Sequence, residues 1–348
     1  MTDTTDSHVS TNKTDKNDSP RGTILKGLKA LGKFFLSILA SGFKTIASFI
    51  FIILIFSFIG NSLSGSVGSS EEQQVHIMGE GPNKIVVVPL EGVILTHPQA
   101  LSASDGTITP DAVRKALTAV KDDSNVKGII LDIESPGGSA VASDQIFTII
   151  QNFKKETKLP VVTLMNDTAA SGGYFIAAAT DKIVANPATL TGSIGVIATT
   201  FNVEEALGKL GVKEKVYKKG QYKDILSSFR DSTAEEDQII DELLDDAYEL
   251  FVDRVAQGRN MPREKALSLA TGRVYSGRQA KEVGLVDTLG NLEEAIEETK
   301  SLAQINQAEV VRIQTGSFFD QLFAGISINK FLTNLAPTHG PRVWFLMQ

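Results

Sequence analysis

The 348-residue chain is 42% hydrophobic, enough to bury the core of a domain larger than average and to leave an appendage. Its net charge of −7 and the lack of a clustered basic face exclude a nucleic-acid platform. Cys is absent, which removes disulfides, thiolate nucleophiles and Cys-based metal sites, and all four histidines, His8, His76, His97 and His339, lie outside the glycine-rich central blocks.

Residues 1–22 are rich in Thr, Asp, Ser, Lys and Asn, and the composition predicts a disordered tail. Over residues 23–43, Ile24, Leu28, Leu31, Phe35 and Ile38 recur at helical spacing while Lys26, Lys29 and Lys33 share another face. Such a basic amphipathic segment suits an anionic lipid surface. Residues 45–63 carry no charge and are dominated by Phe, Ile and Leu, which predicts a transmembrane helix. Arg21, Lys26, Lys29, Lys33 and Lys44 precede this span and the next basic residue is Lys84, so the N-terminus is expected in the cytoplasm and the remainder outside. A cleavable signal peptide is the competing reading, although the leader is long and the apolar run exceeds an ordinary signal core. Residues 64–81, rich in Gly, Ser and Glu, read as a linker.

From residue 82 to 316 the pattern is that of one domain. Lys84 to Leu90 is expected as a strand, and Thr109-Pro110-Asp111 opens a helix with Val113, Ala116, Leu117 and Val120 on one face. Gly128 to Ile133 is a second buried strand, ended by Ser135-Pro136-Gly137-Gly138-Ser139 and followed by a helix to about Lys155. An apolar run from Pro160 to Met165 reads as a third strand, leading through Ala169-Ala170-Ser171-Gly172-Gly173-Tyr174 into a helical pattern, and Lys182 to Ala185 as a fourth. Repeated βα units of this length predict an α/β fold with a mostly parallel sheet, covering helices and functional loops at the carboxyl ends of the strands. A glycine-punctuated turn, Thr191-Gly192-Ser193-Ile194-Gly195-Val196, follows. Then come a helix at 203–210, a strand at 215–218, a long acidic amphipathic helix over 233–257, shorter helices to residue 302 and a strand at 310–314. Residues 317–348, a C-terminal extension, show no clean periodicity.

Ser171 falls at a strand-to-helix turn, where a hydroxyl stands exposed at a sheet end and Gly172 and Gly173 permit close approach of a substrate. Gly137 and Gly138 offer backbone N–H groups of the kind an oxyanion hole needs. Two such strand ends together suggest acyl chemistry. With no histidine in these blocks, the general base falls to a lysine lowered in pKa by desolvation. Lys223, in a less charged loop, competes for that role with Lys218 and Lys219, and His97 would need coincidental proximity. Ser193 is an alternative nucleophile or a support of the site. Asp132 and Asp167 are expected as turn and solvent-facing residues.

The run from Val126 through Ser135-Pro136-Gly137-Gly138-Ser139, then Ala169 to Tyr174, Thr191 to Val196, Gly272-Arg273-Val274-Tyr275-Ser276-Gly277 and Gly284-Leu285-Val286-Asp287 resembles, in order, the signal peptide peptidase A (protease IV) family in its short form. The resemblance implies a crotonase/Clp-protease-like fold, Ser171 as nucleophile, Lys223 as base, and an oxyanion hole at Gly138 or its neighbour Gly137 with Gly172 contributing. It implies no cofactor or metal. It also implies a single-pass protein of the bacterial cytoplasmic membrane, forming rings with shared active sites and cutting hydrophobic peptides such as remnant signal peptides. A crotonase-type acyl-CoA enzyme and a non-catalytic membrane scaffold are the alternatives from other classes.

Overall fold

The computed structural model describes residues 74–97, 106–313 and 344–346, all within the compact unit Glu72–Gln348. The tail, amphipathic segment and membrane span expected over residues 1–63 lie outside the described residues, as do the first part of the linker and most of the C-terminal extension. Among the described residues no helix is long and apolar enough to cross a membrane.

The chain opens with strands β1 (Gln74–Met78), β2 (Lys84–Glu91), β3 (Val93–Ile94) and β4 (Thr107–Ile108), followed by helix α1 (Pro110–Lys121). Strand β5 (Val126–Ser135), strand β6 (Gly137–Ser139) and helix α2 (Ala140–Thr157) come next, then β7 (Val161–Ala170), α3 (Gly172–Ala177), β8 (Lys182–Ala185) and β9 (Leu190–Gly192). Helices α4 (Glu204–Lys209), α5 (Ala234–Gly258) and α6 (Arg263–Leu269) lead to β10 (Val274–Ser276) and α7 (Gly277–Val283). The last elements are β11 (Thr288–Leu289), α8 (Leu292–Ala303), β12 (Glu309–Ile313) and β13 (Trp344–Leu346).

One nine-stranded sheet has the main order β1-β12-β2-β5-β7-β8-β11, parallel from β12 to β11, with β9 added parallel to β7; β1 meets β12, and β10 meets β9, antiparallel. Its central strands are buried on both faces, as parallel strands are when helices cover each side, and they therefore read as continuous apolar runs. Side chains alternate between the faces. Val86, Val88, Ile129, Leu131 and Ile133 point into the larger cluster with α1, α2, α3 and α5, whereas Ile85, Val87, Ile130, Val162 and Val184 meet Ala295 and Ile296 of α8. Helix ends follow the expected chemistry: Thr109 accepts from the Ala112 N–H ahead of Pro110, and Thr233 with Glu236 forms a reciprocal capping box at α5.

Four features differ from the sequence reading. Gln74–Met78, within the expected linker, pairs with β12, a partner too distant in sequence to be visible locally. No strand forms at 215–218; residues 213–218 are exposed coil, with no neighbouring strand to complete a ladder. Strand β7 continues past Met165 to Ala170 because it changes partner, pairing over 162–165 with β8 and over 168–170 with β9. That exchange carries the chain to Ser171. A second, four-stranded sheet has the order β13-β6-β3-β4, so Gly137–Ser139 is a short strand rather than only a turn, and residues 344–346 lie antiparallel to it.

Candidate active site

Ser171 joins β7 to α3 with a positive φ in a sparsely populated backbone conformation, φ 53° and ψ −116°. For a residue with a Cβ this costs about 1–3 kcal/mol and persists only where neighbours impose it. The neighbours here are backbone: the Ser171 N–H donates to Gly192 O at 2.8 Å, and Ser171 O accepts from the Phe175 N–H at 2.8 Å. Beneath it, Phe175 packs between Phe147 and Phe251 with ring centroids 5.8 and 4.9 Å away, and the Tyr174 hydroxyl donates to Leu285 O at 2.9 Å. Burial pushes the Tyr174 hydroxyl well above the usual tyrosine range, so it stays a neutral donor. Ser171 itself is 0% exposed, and among the described residues its Oγ is the one buried side-chain polar atom without a hydrogen-bond partner. An unpaired buried hydroxyl costs about 1–3 kcal/mol. Backbone strain and an unsatisfied polar atom thus coincide at this one residue.

The Ser-Pro-Gly-Gly strand lies against this turn. A Cβ on Gly172 would fall 3.2 Å from both Gly137 Cα and Gly138 N and 2.7 Å from Ser143 Oγ, so the start of α3 and the Gly137–Gly138 backbone touch directly. A Cβ on Gly138 would fall 2.1 Å from Ile94 O in β3, which leaves no room for a side chain. The Gly137 N–H already donates to Ser135 Oγ at 3.1 Å, and that hydroxyl donates to Gly92 O at 2.7 Å. The Gly137 N–H is thus engaged within its own turn. Ser193, at φ 49° and nearly buried, follows Gly192 on the strand beside Ser171, with its N–H donated to Arg273 O at 2.8 Å.

Lys223 stands apart. It is exposed, in a series of turns between Gly220 and Ser227, and within one chain no hydrogen bond joins it to the buried Ser171 Oγ. Lys218 binds the Asp224 carboxylate at 2.5 Å, and Lys219 is exposed. His97 is exposed as well, and Asp167 faces solvent as expected. Asp132 does not. It is buried and held by Arg312 at 2.9 Å and Asn166 at 2.7 Å, because β12 brings a guanidinium from the far end of the domain across the sheet. No group of metal-ligating side chains occurs among the described residues.

A family model described as Peptidase family S49 matches residues 153–306, and one described as Clp protease matches residues 102–190. The chain is 39% identical over 233 residues to the putative signal peptide peptidase SppA of Enterococcus faecium, covering 67% of each protein. This chain belongs to the S49 peptidase family. It is 43% identical over 202 residues to the putative protease slr0021 of Synechocystis, spanning 58% of this chain and 72% of that one. To the chloroplastic serine protease SPPA of Arabidopsis thaliana it is 36% identical over 226 residues, 65% of this chain and 33% of the relative. It is a serine endopeptidase with a Clp-protease-like mixed α/β fold and a mostly parallel sheet. Membership of a peptidase family sets aside the acyl-CoA and scaffold alternatives.

Two features of this S49 peptidase escaped the sequence reading. Ser143 is fully buried one helical turn after Ser139, donates to Ser139 O at 2.9 Å and packs its Oγ against Gly172. Its i, i+4 spacing from the Ser139 cap was the available signal. The other is the set of charges around Lys223, Asp224, Arg230 and Glu236, of which the Thr-x-x-Glu capping pattern at Thr233 was the legible part.

Proposed function

We propose that this S49 peptidase hydrolyses hydrophobic peptides, such as cleaved signal peptides, with Ser171 as nucleophile and Lys223 as general base. The observation that carries the reading is the strained, buried and unpartnered hydroxyl of Ser171, whose neighbour Gly172 packs on the Gly137–Gly138 backbone. In the mechanism, a neutral Lys223 amine takes the Ser171 Oγ proton as Oγ attacks the scissile carbonyl carbon. The N–H groups of Gly138 and Gly172 receive the carbonyl oxygen as it becomes an oxyanion. The resulting Lys223 ammonium gives its proton to the departing amine. Water, deprotonated by Lys223, then hydrolyses the acyl-enzyme and restores both residues. Ser193 supports this arrangement from the adjacent strand. Pairing of residues 344–346 with Gly137–Ser139 supports that strand as one that accepts an extended peptide by strand addition.

The base is drawn from a neighbouring subunit in this reading. Ser171 is fully buried while Lys223 is exposed, and the segment around Lys223 displays Phe201 at 77% and Tyr217 at 83% exposure, apolar surface suited to a second copy of the chain. Residues 45–63 anchor the enzyme in the bacterial cytoplasmic membrane with the peptidase domain outside, near the peptides it would meet.

The test is fluorogenic peptide cleavage by wild type, Ser171→Ala and Lys223→Arg, alone and after co-assembly of the two inactive variants. Each variant alone should lose activity by a factor on the order of 10^4 or more, because members of such a unit fail nearly as completely alone as together. Co-assembled variants should recover part of the wild-type rate, since some sites combine an intact Ser171 with an intact Lys223. Full activity in Lys223→Arg would remove the dyad, and no recovery on mixing would place both residues in one chain.

A further inference from the structure

The turn that carries Lys223 is assembled around one guanidinium. Arg230 donates from Nε and Nη2 to the two carboxylate oxygens of Asp224, at 3.1 and 2.9 Å, and from Nη1 and Nη2 to the two oxygens of Glu236, at 2.8 and 2.5 Å. It also reaches Asp231 O at 2.8 Å and Asp224 O at 3.3 Å. This geometry engages the full donor fork of an arginine, which a lysine could not reproduce.

The two carboxylates belong to different parts of the chain. Asp224 follows Lys223 directly, is only 15% exposed, and takes a further contact from Lys218. Glu236 lies in the first turn of α5, is 4% exposed, and accepts from the Thr233 N–H while Thr233 Oγ1 accepts from its own N–H. Arg230 therefore fastens the turn to a capped helix end. Gly220 and Leu226, at φ 97° and 64°, hold left-handed conformations at the two ends of that turn, and a left-handed leucine persists only where its surroundings over-determine it. Lys223 itself has a flexible stem and is exposed beside the tethered Asp224.

We propose that Arg230, acting through Asp224 and Glu236, is a positioning residue for peptide hydrolysis: it clamps the Lys223 turn to the start of α5 so that the amine is delivered to Ser171 from a fixed place. The proposal rests on Lys223 being the base. No hydrogen bond links the clamp to Ser171 or to the Gly137–Ser139 strand. Loss of the clamp should therefore lower kcat and leave peptide binding unchanged.

The experiment compares Arg230→Ala, Arg230→Lys, Glu236→Gln and Lys223→Arg in the full-length protein, with kcat, KM, thermal stability and oligomeric state measured for each. Arg230→Ala is expected to lower kcat about 100-fold with KM within about threefold, as a displacement of roughly 1 Å does elsewhere. Added guanidinium at low concentration should restore part of kcat, a rescue that a general loss of structure would not give. Arg230→Lys should remain impaired because it cannot fork two carboxylates. Should Arg230→Ala not fold, the isosteric Glu236→Gln takes its place, with a kcat loss in the same direction expected. A dead Lys223→Arg beside a clamp variant of undiminished kcat overturns the clamp and leaves the dyad standing. An active Lys223→Arg overturns the dyad, and the clamp with it.

Discussion

The strand end that carries Ser171 and the turn that carries Lys223 are held in place by different forces. Around Ser171 the constraints are backbone amides, glycines in van der Waals contact and a stack of Phe147, Phe175 and Phe251, all inside the core. Around Lys223 they are ion pairs among Lys218, Asp224, Arg230 and Glu236, at the margin of the molecule with exposed apolar side chains nearby. Ser171, the proposed nucleophile, is thus strained by folding of one chain. Lys223, the proposed base, is supported by charges that another surface can cover. Under the proposed shared site, this separation would leave the Ser171 hydroxyl of a single chain without its base until copies assembled.

One substitution made in both regions sharpens this contrast. Gly138→Ala would set its Cβ 2.1 Å from Ile94 O, and backbone cannot step aside as a flexible side chain can. A loss of about 3 kcal/mol or more in unfolding free energy is expected, with loss of peptide cleavage. Gly220→Ala meets nothing within 4 Å and bears only the cost of φ 97°, about 1 kcal/mol. Denaturant titration of the two variants checks the difference, and equal losses would break it. A smaller effect, about 1 kcal/mol, is expected from Tyr174→Phe, which removes the bond to Leu285 O but keeps the ring. The same titration measures it, and the effect should fall on stability before activity because the hydroxyl faces away into the core.

Acid should separate the regions most gently. The Arg230 fork, aided by the Thr233 N–H, holds the Glu236 carboxyl down to about 2, and Arg230 with Lys218 holds Asp224 well below the usual carboxylate range. Both are lowered on folding, so their contribution is complete above the ordinary carboxylate pKa and is lost as pH falls through the folded values. Hydrogen exchange at the Ile225 and Ser227 amides should therefore quicken, relative to intrinsic rates, as pH falls from about 5 to about 2. The Ser171 and Phe175 amides should keep their protection over that range. Parallel loss at both sites would refute the division.

Much of this could be read from the chain. Strands β2, β5 and β7 announce themselves as runs of β-branched residues, and the Ser171 turn by small residues between a strand and a helix. What stayed hidden depends on partners remote in sequence. Asp132 looked like a turn residue until Arg312 arrived across the sheet, and Gly137–Ser139 became a strand because Ile94 and residues 344–346 flank it. The strand expected at 215–218 had suitable residues but no neighbour. The Arg230 clamp joins residues six apart on either side, a spacing that no helix or strand period selects.

The placement of β12 between β1 and β2 bears on how the protein is made. Strand β2 is among the first segments of the domain to leave the ribosome, yet its outer edge is closed only by Glu309–Arg312, and Asn83 donates to Gln307 O across 224 residues of chain. At a synthesis rate of about 5–20 residues per second, the nascent sheet waits roughly 10–45 s with that edge unpaired. During that interval the early strands offer an open template to any extended segment nearby. A holding partner would shelter them until β12 emerges.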